Sequence, residues 1–181
     1  MATLQQWQAI IDHPNQKDNA YADTSTTQDD AFWRTMIRDV YLNDKETLRA
    51  SPSDHVLFNQ YFEMITSERY VSVEGEALDW PKAKKVMATV HTAIYNHRFF
   101  VTEKGYFGLG NSETQAGDQV WVLIGGKVPF VLRLVVDNDG TSSFDSSFWL
   151  VSDCYLHGIM DGEAMADGDG DESNEQYVFL V

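Results

Sequence analysis

The sequence predicts an α+β fold in which about four N-terminal helices pack on a small antiparallel β-barrel or curled sheet. Three observations predict it. Apolar residues recur at helical spacing through the first hundred residues. Near His97 that period gives way to alternation, the pattern of a half-buried strand. Beyond it, short apolar runs are separated by turn-forming dipeptides such as Gly125-Gly126. The change of period sets boundaries of 1–97 for a mainly helical region and 98–181 for an antiparallel β region. No clean linker separates the two, so one compact unit is expected.

Leu4, Trp7, Ile10 and Ile11 fall on one helical face, and Pro14 marks the end of that helix. A polar loop is expected over 15–26. Thr27 then caps a second helix, with Asp30 completing a weak capping box. Phe32, Met36 and Val40, flanked by Trp33, Ile37 and Tyr41, carry its apolar face, so the helix is expected to run through Tyr41. Ser53 or Asp54 caps a third helix presenting Leu57, Phe58, Tyr61, Phe62 and Ile65. Asp79-Trp80-Pro81 starts a fourth, because proline suits a first turn where its missing N–H costs nothing. Ala83, Val86, Met87, Val90 and Ile94 form its face.

Five or six short strands follow. Phe99 to Val101 opens the series, and Tyr106, Phe107 and Leu109 alternate between glycines. The run 118–124 points Val120, Val122 and Ile124 inward and reverses at Gly125-Gly126, read as a two-residue hairpin turn. Residues 130–136 return antiparallel, and Asp137-Asn138-Asp139-Gly140 makes a second turn. Further strands are expected at 148–152 and 154–157, separated by a bend or bulge near Asp153, with a closing strand at 177–181. The five tryptophans are assigned to core and helix–sheet packing.

The charge excludes several function classes. Residues 101–181 hold three Lys/Arg against fourteen Asp/Glu, or −11, and the first hundred hold ten against fourteen, or −4, which together give −15. Such a surface repels phosphate backbones and anionic lipid heads, so neither nucleic acid nor membrane is expected as a partner. No apolar run approaches the roughly 18 residues needed to span a bilayer. The N-terminal residues lack the basic and apolar regions of a signal peptide. Cys154 stands alone among apolar neighbours, as a buried, inert thiol does. A reducing, cytoplasmic location is therefore expected.

Candidate sites are few. His157, Asp161 and Glu163 form the densest cluster and are candidate ligand-binding residues, as a cation site or an acid/base pair. The competing structural reading leads: Gly158 and Gly162 permit a tight turn, and the two carboxylates bind backbone N–H groups. Arg133, a lone cation between Leu132 and Leu134, is a candidate anchor for a carboxylate or phosphate, although pairing with Asp118 is favoured. Asp167, Asp169 and Asp171 space their carboxylates like the start of an EF-hand loop, but Glu172 stands where that loop needs glycine, so they are only weak metal candidates. Gly105, Gly108 and Gly110 are not in dinucleotide-binding order. Cys154 and His157 lie three apart, which strand alternation would point to opposite faces. No catalytic residue and no cofactor is assigned.

The ordered set Gly105-Tyr106-Phe107-Gly108-Leu109-Gly110, Gly117-Asp118-Gln119-Val120-Trp121-Val122-Leu123, Gly125-Gly126 and Pro129-Phe130-Val131-Leu132-Arg133 resembles the C-terminal region of fungal heterokaryon-incompatibility (HET) proteins. The likeness continues in residues 154–164 and, upstream, in Phe32-Trp33-Arg34-Thr35. It covers roughly Ala31 to Val181. The Tyr-Leu-Ser-Tyr-x-Trp-Gly type segment of the HET domain, the effector part of those proteins, does not occur here. The resemblance therefore implies a non-catalytic interaction or regulatory module in nonself recognition, with a protein partner. The alternative is a small-molecule binding protein, or an enzyme of unrecognised type, with its site in the β half. An enclosed polar pocket holding Arg133 or His157 would favour the alternative, and a filled barrel with an exposed apolar patch the interaction module.

Overall fold

The computed structural model describes residues 2–11, 19–22, 24–43, 46–67, 80–136, 147–166 and 176–181. Helix α1 (Ala2–Ile11) turns Trp7 into the core, where its ring stacks on Phe99 at 5.9 Å. Ile10, expected on the same face, is exposed. Helix α2 (Gln28–Met36) begins as the sequence suggests: the Thr27 hydroxyl accepts the Asp30 N–H. Asp30 does not complete the box, because its carboxylate turns forward to the Trp33 indole N–H and the Arg34 guanidinium.

The second helix stops five residues before Tyr41. Arg38 and Asp39 both adopt φ of 54°, left-handed backbone that breaks the helix without glycine or proline. The Asp39 N–H closes the turn on the Arg34 carbonyl at 2.7 Å. Val40, Tyr41 and their neighbours instead form β1 (Val40–Asn43), paired antiparallel with β2 (Glu46–Arg49). This hairpin lies in the region expected to be helical. Helix α3 (Pro52–Ser67) starts earlier than predicted, with Pro52 in its first turn and the Asp54 carboxylate reaching back to the Ser51 N–H at 2.8 Å. Helix α4 (Trp80–Ile94) buries Ala83, Val86 and Val90, and Asp79 of its start signal lies outside the described residues.

The strands of the second half form two sheets. β3 (His97–Val101), β4 (Phe107–Asn111) and β8 (Tyr155–Leu156) make the first, in the order β3-β4-β8. β5 (Gln119–Trp121), β6 (Phe130–Leu134), β7 (Ser147–Asp153) and β9 (Phe179–Leu180) make the second, in the order β5-β6-β7-β9. Cys154 is the corner between them, where the chain leaves β7 and enters β8; its N–H still bonds the Pro129 carbonyl beside β6. The Asn111 side chain ties the end of β4 to the Val151 carbonyl of β7. Among the described residues no ladder joins β3 to β5, so the expected barrel is not closed. Nor is the sheet wholly antiparallel, since β9 runs parallel to β7.

The described residues hold a fifth helix, the single turn α5 (Glu163–Ala166). The expected two-residue hairpin at Gly125-Gly126 is longer: Trp121 pairs with Phe130, and the tip is a Leu123–Gly126 turn closed by a 2.8 Å bond, with Gly125 at φ 84°. Val122 and Ile124, expected inside, are exposed in this connection. The turn at 137–140 and the metal candidates at 167, 169 and 171 lie outside the described residues.

One apolar cluster draws on both halves, joining Trp7, Phe32, Trp33, Phe58 and Val90 to Phe99, Phe107, Leu109 and Tyr155. Its aromatic rings meet mostly edge to face, as at Phe32–Phe99 (5.8 Å) and Phe99–Phe107 (5.6 Å). Trp7 and Trp33 are the tryptophans in this core, whereas Trp80 and Trp149 are exposed. No described helix is long and apolar enough to cross a membrane.

Candidate functional site

A cavity of about 570 Å³ opens where the turn after α2, the β1–β2 hairpin, the start of β3 and the β7–β8 corner converge. The same left-handed turn that ends α2 supplies two of its walls, Arg38 and Asp39. β2 contributes Arg49, β3 contributes His97, and the corner contributes Asp153, Cys154 and Tyr155. His157, Asp161 and Glu163 complete it from the turn leading to α5.

A relay of ion pairs runs along one side. Arg34 bonds Asp30 at 2.8 Å and Asp39 at 2.5 Å, and Arg49 bonds the second Asp39 oxygen at 2.6 Å and also pairs with Asp161. Asp39 is nearly buried between its two arginines, whereas Arg49 and Asp161 are exposed at the rim. The relay joins α2 to the turn after β8. Behind it, the buried hydroxyl of Tyr21 accepts the Phe107 N–H at 2.9 Å and donates to the His157 carbonyl at 3.3 Å.

Burial sets the charge state of three titratable groups on the cavity wall. Burial pushes the Cys154 thiol up to about 12, with Asp153 adding to the rise. Burial pulls His157 below its usual range, and its Nδ1 lies 2.9 Å from the Tyr155 hydroxyl. His97 is lowered by burial and then by the adjacent Arg38 charge. Its Nδ1 lies 2.6 Å from the Tyr95 carbonyl and must donate there, which leaves Nε2 as the acceptor for Arg38 at 2.5 Å.

Of the predicted site residues, the structure brings His157, Asp161 and Glu163 to the cavity and leaves Arg133 elsewhere. Arg133 grips Asp118 through two bonds of 2.7 and 3.0 Å and donates to the Glu113 carbonyl at 2.8 Å. Burial alone would raise Asp118, but hydrogen bonds from Arg133 and the Gln115 N–H outweigh it and hold the carboxyl low. Asp161 takes an arginine as partner, while Glu163 accepts the Asp161 N–H at 2.7 Å. Cys154 and His157, expected on opposite faces, both line the cavity because the chain bends between them. Arg38, Asp39, Arg49, His97 and Tyr155 went unnoticed in the sequence. Their single legible signal is the Asp30–Arg34–Arg38 spacing, which reads as a solvated helix face. Among the described residues no three His, Cys, Asp or Glu side chains are grouped to hold a metal ion.

The β half also carries the family signature: residues 82–180, more than half of the chain, match the Het-6 beta-barrel domain. The chain belongs to that family. It is similar, at 39% identity over 66 residues, to heterokaryon incompatibility protein 6, OR allele, of Neurospora crassa. That match takes in 36% of this chain and 9% of the Neurospora protein. No solved structure matches. The matched stretch contains β3 to β9 and most of α4, so this member of the Het-6 family has its cavity at the border of the matched domain. His97 and residues 153–163 lie inside it, whereas Arg38, Asp39 and Arg49 come from the helical half. The domain is thus one related to heterokaryon incompatibility, in a fungal protein.

Proposed function

We propose that the chain is a non-catalytic interaction or regulatory module of the incompatibility system, acting through surface recognition of a protein partner. The observation that carries this reading is the set of exposed apolar side chains on β7 and β9, at one edge of the four-stranded sheet. Trp149 and Leu150 stand on β7 at 53% and 52% exposure, and Phe179 and Leu180 lie on the neighbouring β9. Strand alternation and register place Trp149 with Phe179 on one face and Leu150 with Leu180 on the other, so large apolar side chains are exposed on both faces of this edge, which fits a protein interface better than a solvated sheet. The acidic β half would steer a partner with a basic rim towards it. The cavity bears only on the non-catalytic part of this reading. Its one thiol is protonated, and Asp39, Arg49 and Asp161 on its wall are engaged with each other.

Crosslinking in a host fungus, with the wild type and a Trp149→Ser/Leu150→Ser variant, tests the reading. A defined partner crosslinked to the wild type and lost from the variant, at unchanged circular dichroism, is the expected outcome. Equal crosslinking of both proteins would remove the sheet surface as the recognition site.

A further inference from the structure

The cavity holds an arginine that no described carboxylate pairs with. Arg34 and Arg49 each face two carboxylates. Arg38 reaches none within ion-pair distance among the described residues. Its Nη2 donates to the Ala93 carbonyl at 3.2 Å and to the neutral His97 Nε2 at 2.5 Å. Its Nε is buried without a partner, and Nη1 donates to no described residue. Burial lowers its pKa, opposed only by the more distant Asp153, so the surroundings disfavour this charge. A half-buried guanidinium without a counter-ion among the described residues needs a reason.

The backbone adds a second, independent mark. Arg38 and its neighbour Asp39 occupy left-handed conformations that side chains with a Cβ seldom adopt, and both residues line the cavity. Strain of this kind persists where surrounding structure enforces it, and it gathers at binding sites.

The rest of the wall identifies what would balance Arg38. Counting the histidines as neutral, the lining holds Arg38 and Arg49 against Asp39, Asp153, Asp161 and Glu163, a balance of 2 − 4 = −2. Arg49 is matched by Asp39 and Asp161, which leaves Arg38 against Asp153 and Glu163. Among the described residues the Asp153 carboxylate accepts no side-chain hydrogen bond, and Glu163 meets only a backbone N–H. A simple anion would satisfy Arg38 but face two uncompensated carboxylates, and a simple cation would face Arg38. A molecule with one carboxylate and two ammonium-type groups answers all three charges. The volume of about 570 Å³ lies within the range that holds small metabolites.

We propose that this cavity binds a basic α-amino acid, its carboxylate on the Arg38 guanidinium and its two cationic groups towards Asp153 and Glu163. The site is separate from the apolar sheet surface, so failure of one assignment leaves the other standing.

Calorimetric titration with L-lysine tests it, with cadaverine, which lacks the carboxylate, and inorganic phosphate as comparison probes. The expected result is saturable L-lysine binding, at least tenfold weaker cadaverine and phosphate binding, and a loss of at least tenfold in Arg38→Gln and in Asp153→Asn. Asp153 is exposed, so its variant reports on binding even if Arg38→Gln does not fold. L-lysine should also move the His97 imidazole resonance of the wild type, because that ring touches Arg38. Absence of saturable L-lysine binding, phosphate binding as tightly, unchanged affinity in Asp153→Asn, or an unmoved His97 resonance would each overturn the proposal.

Discussion

Gly108 faces Phe100 across the β3–β4 ladder, and the phenyl ring lies over the place where a Cβ would stand, 2.3 Å from its Cζ. The aromatic ring thereby covers the bare backbone of a strand glycine. Alanine at 108 would force the ring aside; because Phe100 is only half-buried it can swing, so the cost should sit near the low end of overpacking, about 1 kcal/mol. Urea unfolding of Gly108→Ala should show this loss, and the loss should vanish in a Phe100→Ala background. A penalty that persists there would place its origin in the backbone. Asp39 permits a similarly clean separation of charge from conformation. Asparagine tolerates left-handed backbone at least as well as aspartate, so Asp39→Asn keeps the turn and removes only the carboxylate between Arg34 and Arg49. Breaking a nearly buried pair costs about 3 kcal/mol, and a change under about 1 kcal/mol would mean that solvent screens the relay.

At the scale of elements, α3 shows how a local sequence signal and its structural use can be one turn apart. The hydroxyl and N–H of Ser51 both bond the Asp54 carboxylate, at 2.6 and 2.8 Å, and Lys82 of α4 forms an ion pair with its other oxygen at 3.2 Å. That second oxygen makes no aligned hydrogen bond, so the pair is electrostatic rather than directional. Burial alone would raise Asp54, but the Ser51 bonds and Lys82 outweigh it and hold it below its ordinary 3.8. A depressed carboxylate contributes stability that is present above the unfolded value and is lost as pH falls through the folded one. Asp54→Ala should therefore cost about 1 kcal/mol at neutral pH and flatten the stability curve below about pH 4. An unchanged acid limb in the variant would show that Asp54 does not carry it. The cap of α2 was legible because such signals are local; for α3 the sequence marked the region but not the cap, since Ser53 and Asp54 both lie inside the helix. The end of α2 was not legible: Arg38 and Asp39 break it with ordinary side chains, and the apolar period continues unbroken through Tyr41. The same period then serves β1, whose Tyr41 joins the core from a strand.

Across the whole molecule, the strands of the second half were readable from alternation and glycine, but the β1–β2 hairpin was not, and neither was the assembly of the sheets, because sheet order depends on contacts distant in sequence. Cys154 carries the chain from one sheet to the other; the bend or bulge expected near Asp153 marks the place, but not that the strands on either side of it join different sheets. The cavity was legible only where it is local, at His157, Asp161 and Glu163; its remaining charges come from separate elements and look like solvated surface when read singly. Folding also buries two imidazoles, and this sets the behaviour of the molecule in mild acid. His97 and His157 are both depressed, chiefly by burial, so the unfolded chain binds protons that the folded chain refuses. The sign follows from linkage: between the lowered folded values and the ordinary 6.5, the unfolded state holds more protons, and stability falls as pH falls. Protonation of His97 would also set a cation against Arg38. Relief of the net charge of −15 does not offset this, because carboxylates of ordinary pKa, about 4, stay ionised through the window. The urea midpoint should therefore be lower at pH 5.5 than at pH 7.5, roughly the two sides of the histidine range. The gap should narrow in His97→Gln and again in His157→Gln, since glutamine cannot take up the proton. Equal midpoints at the two pH values would show that both rings bind protons in the folded state as readily as in the unfolded chain.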